Sequence, residues 1–211
     1  MPRSGEEVRR RLQLAALELY RERGYEETTA TEIAARAGVT ERTFFRHFPD
    51  KREVLFDGEA AFGEALTSAV RHAAPQLGTW DTLFLAFNQV KHIFVENRPF
   101  TEPRRLVIAA NPALQERAVA KTRLLTAALA SALEERGVPA PQANLSAQVG
   151  MATLRHAVAA WFADGSIELG EHIVRAFDEV RALSSSGTAL TTPKQAGTKQ
   201  PGKVKAKLRS M

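Results

Sequence analysis

Arg42, Thr43, Arg46 and His47 stand close together in GVTERTFFRHF, residues 38–48, with Thr40 and Glu41 just before them. Guanidinium groups, hydroxyls, an imidazole and a lone carboxylate form a set of hydrogen-bonding groups, with no nucleophile and base in register. Phe44 and Phe48 are four residues apart and share one helix face, so the polar residues fall largely elsewhere. A short helix therefore anchors itself through two rings and offers donors outward. A solvated surface helix has the same look, so the flanking residues must decide between them.

Other chemistries find no support. The 211 residues include no cysteine, which excludes disulfides, thiolate metal sites and cysteine nucleophiles. None of the five histidines has a glutamate three residues before it and H-E-x-x-H is absent, so the residues imply no metal and no cofactor. GTKQPGKV, residues 197–204, fits G-x-x-x-x-G-K but places Val204 where Ser or Thr would hold magnesium. No strand signal precedes it and Pro201 sits inside, so it is not a phosphate loop. With no nucleophile elbow and no dinucleotide fingerprint, the chain does not read as an enzyme.

The elements that must position residues 38–48 are helical. Val8, Leu12, Ala15, Ala16 and Leu19 form the stripe of an amphipathic helix over 6–24, stopped by Gly24. Thr29 or Thr31 can cap a short helix carrying Ile33, Ala34 and Ala37. Gly38 permits a left-handed turn after it, and Pro49 ends the next helix. Helix, glycine turn, second helix is the organisation of a helix-turn-helix. Asp50 and Glu53 read as the capping pair of a fourth helix running over 50–73. Further helices are expected over 80–97, 102–110, 112–136, 141–163 and 168–183, separated by Pro, Gly and Asn-Pro signals. No stretch alternates as a strand would, so the fold class is all-α.

The net charge of +5 is not spread over this body. Lys194, Lys199, Lys203, Lys205, Lys207 and Arg209 alone outnumber it, leaving residues 1–183 close to neutral. Residues 184–211 are Ser, Thr, Gly, Pro, Gln and Lys with few hydrophobes, and read as a disordered basic tail. No apolar run reaches the roughly 18 residues of a membrane span, and no secretory signal opens the chain. The expectation is a cytoplasmic protein with no membrane partner.

Residues 9–55, above all the run ALELYRERGYEETTATEIAARAGVTERTFFRHFPDKREVL, resemble the N-terminal domain of TetR-family transcriptional regulators. Gly24 and Tyr25, Ile33 and Ala34, Ala37 to Val39, Thr43 and Phe44, Phe48 and Lys51 all fall in the register of that family. The resemblance implies a three-helix helix-turn-helix domain over 1–52 and a helical bundle for ligand binding and dimerisation over 53–183, with the 184–211 tail after it. It makes 41–47 a recognition helix for the major groove of double-stranded operator DNA. Arg42 is then the base reader, because a guanidinium can address guanine O6 and N7 together. Glu41 could accept from cytosine N4, and Thr43 could reach a base or a phosphate. Thr29, Thr40, His47 and Lys51 suit phosphates, with Thr31 and Arg46 on the same surface. Phe45 replaces the family's frequent tyrosine and keeps an apolar contact suited to a thymine methyl.

The same resemblance implies a homodimer and a small-molecule effector that releases the operator, as a repressor requires. Leu154, Val158, Trp161, Phe177 and Val180 are the expected dimer face of the last two helices. Phe62, Phe84, Phe87, Asn88, His92 and Arg105 are the expected effector contacts, for a largely apolar ligand. The helix starting near Lys51 would join pocket to reading head. An architectural DNA protein using the lysine tail is the alternative, and the near-neutral body speaks against it.

Overall fold

A computed structural model describes residues 3–185, where every regular element is helical. The tail expected over 184–211 lies almost wholly outside the described residues, as does the GTKQPGKV stretch. Three helices open the chain: α1 (Arg3–Arg23), α2 (Ala30–Arg36) and α3 (Glu41–His47). Thr29 caps α2 with a reciprocal box: its hydroxyl accepts from Glu32 N at 3.2 Å and its N–H donates to the Glu32 carboxylate at 2.9 Å. Gly38 takes φ +68° between α2 and α3, a left-handed conformation that suits glycine.

The fourth helix is not continuous from residue 50. A 3₁₀ turn, Glu53–Phe56, comes first, the chain breaks at Asp57 and Gly58, and α4 runs from Glu59 to Arg71. Asp50 accepts from the N–H groups of Arg52 at 2.7 Å and Glu53 at 3.1 Å, but the expected reciprocal half is missing: the Glu53 carboxylate pairs with Arg117 and Lys121 instead. Val54, Leu55 and Phe56 of the 3₁₀ turn are all buried. The chain leaves through Gly58 at φ +84°.

Five more helices complete the described chain: α5 (Thr79–Glu96), α6 (Arg98–Ala109), α7 (Pro112–Glu135), α8 (Ala140–Ala163) and α9 (Leu169–Ser185). The expected 102–110 helix starts earlier, because Pro99 sits in the first turn, where a missing N–H costs nothing. Asn111 caps α7, accepting from Leu114 N at 3.2 Å.

Two cores hold these elements. The first joins α1, α2, α3 and the 3₁₀ turn, and includes Val107 of α6 and Leu114 of α7. The second joins α4, α5, α7, α8 and α9 around Leu66, Leu83, Phe87, Leu129, Trp161 and Phe177. Gly150 lets α8 lie against α5: a Cβ there would meet Leu83 at 3.0 Å and the Phe87 ring at 3.5 Å. The same packing takes up the residues expected at a dimer face. Leu154, Trp161 and Phe177 are buried within one chain, and Val158 and Val180 are partly covered. The outward faces of α8 and α9 carry instead Leu145 (63% exposed), Val174 (42%) and Leu183 (77%). No helix among the described residues is long and apolar enough to cross a membrane.

Candidate nucleic-acid interface and adjoining cavity

The outward surface of α3 is set by what the helix hides. Phe44 and Phe48 are buried against Ile33 and Ala34 of α2, and small alanines let the two helices cross closely. Thr40 caps α3, its hydroxyl accepting from Thr43 N at 3.2 Å and lying 3.0 Å from the Thr43 hydroxyl. Glu41, Arg42 and Arg46 are left exposed, as is half of Phe45, whose ring meets Phe44 edge-on at 5.3 Å. A seven-residue helix thus presents two guanidinium groups, a carboxylate and a phenyl ring on one outward surface. Thr31 is exposed on α2, and the Thr29 hydroxyl is engaged with Glu32 in the cap.

Two residues assigned to phosphates are placed otherwise. Lys51 does not stand at an α-helix N-terminus. Its Nζ donates to the carbonyls of Tyr25 (2.8 Å), Glu26 (3.1 Å) and Thr28 (2.9 Å), and lies 4.4 Å from the centre of the Tyr25 ring. An ammonium has three donors, and all three are used. Its own carbonyl accepts from the Tyr20 hydroxyl at 2.6 Å. Burial pushes the Tyr25 phenol up to about 12, so it stays neutral under its cation. His47 turns inward: Nε2 is buried without a partner among the described residues. Burial, then Arg46 and Arg9, hold its pKa below the ordinary value and favour the neutral ring.

Residues not singled out from the sequence fix this head to the rest. Arg9 of α1 donates to the His47 carbonyl at 3.1 Å, lies over the Phe48 ring at 5.2 Å and pairs with Asp57 at 3.3 Å. Gln13 donates to the same Asp57 carboxylate at 3.2 Å. Asp57 sits at the break before α4, so one arginine joins the end of α3 to the start of the connecting helix.

Behind that break lies a cavity of about 1000 Å³ between α4, α6, α7 and α8. Phe62, Phe94, Leu125, Met151, Leu154 and Phe162 supply much of its apolar wall. Of the expected effector contacts, Phe62 and Arg105 line it, and Phe84, Phe87, Asn88 and His92 do not. The Phe84 and Phe87 rings pack edge-on against Phe177 of α9, because that face of α5 serves the second core. Asn88 donates to the Phe84 carbonyl at 3.1 Å, and His92 is exposed beside the Gln89 carbonyl. Only Phe94, near the end of α5, reaches the cavity.

The wall nearest the break is charged. Glu53 of the 3₁₀ turn meets Arg117 at 2.8 Å and Lys121 at 3.1 Å. Lys121 also lies 3.7 Å from Glu59, which faces Arg104 at 3.8 Å. Burial raises the Glu59 pKa, opposed by Arg104 and Lys121. Glu59, Arg104 and Lys121 line the cavity, and Glu53 belongs to the turn packed against the reading head. Among the described residues no cluster of His, Asp and Glu gathers as metal ligands would.

Comparison with known proteins places these observations. Residues 14–57 match the model for bacterial regulatory proteins of the tetR family. The HTH-type transcriptional regulator TcmR of Streptomyces glaucescens is 47% identical over 55 residues, which cover 26% of this chain and 24% of that protein. A TetR-family regulator structure from Syntrophomonas wolfei superposes with a TM-score of 0.63 at 18% identity, covering 88% of this chain and 99% of that one. SmeT, the repressor of a Stenotrophomonas maltophilia multidrug efflux pump, solved as a triclosan complex, gives 0.56 at 20% identity, covering 90% and 99%. The two structural likenesses extend over the helices of both cores and establish a shared fold.

Proposed function

From the match of residues 14–57 to the tetR family and the shared fold, we propose that this protein is a TetR-family, ligand-responsive repressor binding a palindromic operator as a homodimer. The observation that carries this reading is the outward face of α3. Arg42, Glu41, Arg46 and Phe45 are exposed and make no ion pair among the described residues, while Phe44 and Phe48 lock the helix that bears them. Arg42 addresses a guanine through paired donors, Phe45 meets a thymine methyl, and Arg46 with Thr31 positions the backbone. Residues 1–52 form the reading head and 53–183 the effector and dimerisation unit, coupled through the 3₁₀ turn.

Two chains associate through the outward faces of α8 and α9, where Leu145, Val174 and Leu183 stand among small residues. A small organic effector occupies the cavity, as triclosan is bound by SmeT in the same fold. It need only prefer the arrangement in which the two α3 helices no longer match adjacent major grooves; equal affinity for both arrangements would shift nothing. Selection from a random pool of duplexes tests the reading. It predicts enrichment of one sequence with internal two-fold symmetry; a pool that stays random after repeated rounds would overturn it.

A further inference from the structure

The cavity is apolar along most of its wall but carries an imbalance of charge. Arg71, Arg104, Arg105, Lys121 and Arg155 line it, against Glu59 and Glu64. Arg71 is held at 2.6 Å by Glu135, which is not part of the lining. Arg105 lies 5.6 Å from the Phe162 ring centre, and neither it nor Arg155 has a carboxylate partner among the described residues. Around the charged end, Glu59 serves both Arg104 and Lys121 at 3.8 and 3.7 Å, and Lys121 has a closer partner in Glu53 at 3.1 Å, which itself also pairs with Arg117 at 2.8 Å. The two Glu59 distances are ionic contacts beyond hydrogen-bond length, whereas a well-seated carboxylate meets a cation at about 2.7–2.9 Å. The cavity thus holds cations that its own acids satisfy poorly, next to aromatic and aliphatic wall.

We infer that the cavity takes an amphipathic organic anion: an apolar body against Phe62, Phe94, Leu125, Met151 and Phe162, and a carboxylate head on Lys121 and Arg104. A cationic amphiphile meets five wall cations against two acids and is disfavoured. A neutral one leaves Arg104 with no carboxylate closer than Glu59 at 3.8 Å. Lys121 makes the choice of head group matter for the rest of the molecule, because its other partner at 3.1 Å is Glu53. Seating the head draws Lys121 away from Glu53, and Glu53 opens the 3₁₀ turn two residues after Lys51, the tie to the α1–α2 corner. The consequence at DNA rests on the regulator reading above; the binding preference does not.

The test uses the full chain, freed of bound lipid, titrated at about pH 8 with dodecanoate, methyl dodecanoate and dodecylamine, so that the carboxylate is fully ionised. Calorimetry or Trp161 fluorescence reports binding, since Trp161 lies 5.1 Å from the cavity-lining Phe162. Dodecanoate is expected to bind at least tenfold more tightly than its methyl ester, with the amine weakest. Lys121→Met should erase that preference and leave the ester's affinity within twofold, which reports an intact cavity. Lys121→Gln should do the same. Glu53→Gln frees Lys121 and should tighten dodecanoate several-fold. Ester or amine binding as tight as dodecanoate, a preference that survives both Lys121 variants, or no binding by any probe overturns the anion assignment. Unchanged or weaker dodecanoate binding by Glu53→Gln overturns the exchange at Lys121. Any of these results in a protein that still selects a symmetric duplex leaves the regulator reading standing. An anion preference in a protein that selects no sequence does the reverse.

Discussion

Replacing Lys51 by methionine removes an ammonium while keeping most of an apolar stem, and its effect can be worked from the three carbonyls it holds. Two of its bonds, to Tyr25 at 2.8 Å and Thr28 at 2.9 Å, are partly buried; the third, to Glu26 at 3.1 Å, is exposed. A hydrogen bond from a charged donor contributes about 1.5–3 kcal/mol net, and the exposed one much less because water replaces it. Counting the two buried bonds at the low end gives about 3 kcal/mol, and loss of the cation over the Tyr25 ring adds about 0.5–1 kcal/mol. For a chain of this length, each kcal/mol shifts the midpoint by about 2–4 °C, so Lys51→Met should lower Tm by about 7–16 °C in circular-dichroism melts. DNA affinity should fall only as far as the reading head loosens. The salt dependence then decides: a lost phosphate contact lowers the slope of log K against log salt by about 0.9, whereas a lost internal tie leaves it unchanged. An unaltered Tm together with a reduced slope would break this derivation and return Lys51 to the phosphate backbone.

Gly58 holds φ +84° with open space where a Cβ would go, so Gly58→Ala should cost about 1–2 kcal/mol from backbone strain alone, visible as a lower denaturant midpoint. A midpoint equal to wild type would mean the break tolerates another conformation. Val174→Asp places a charge on the outward face of α9 and should shift sedimentation from dimer toward monomer at micromolar concentration; an unaltered dimer moves the interface elsewhere. Truncation after Ser185 removes all six basic residues of the tail and should flatten the salt dependence of DNA binding without changing the preferred site. An unchanged slope would show that the tail takes no part in binding.

How much of the molecule is legible in its sequence depends on whether one local period decides the outcome. Phe44 and Phe48 four apart, Gly38 before them and Thr29 three before Glu32 each answer to a single local rule, and the reading head forms accordingly. The break at Asp57 and Gly58 escapes such a rule, because Asp50 and Glu53 have the spacing of a capping pair while the Glu53 carboxylate is drawn to Arg117 and Lys121, far along the chain. The contrary signal is Gly58, which takes the left-handed φ of +84° at the break. In α5 and α8, apolar residues occupy more than one face, so periodicity cannot say which aromatic meets the core and which the cavity. Phe84 and Phe87 go to Phe177, and Trp161 and Leu154 to the second core, for that reason. Arg104 and Lys121 resemble any solvated charge in sequence; only the meeting of α4, α6 and α7 sets them beside Glu59.

If two copies of α3 read adjacent turns of one duplex through Arg42, hydroxyl-radical footprinting on the selected duplex will register both, with wild type and Arg42→Ala compared at equal occupancy. Two protected patches are expected on one face of the DNA, about 34–36 Å apart or a multiple of that spacing. Arg42→Ala should cost about 1–3 kcal/mol in affinity and relax the preferred base at one symmetric position in each half-site. A single patch, uniform protection along the duplex, or an Arg42→Ala protein that keeps the wild-type base preference would contradict paired reading by α3.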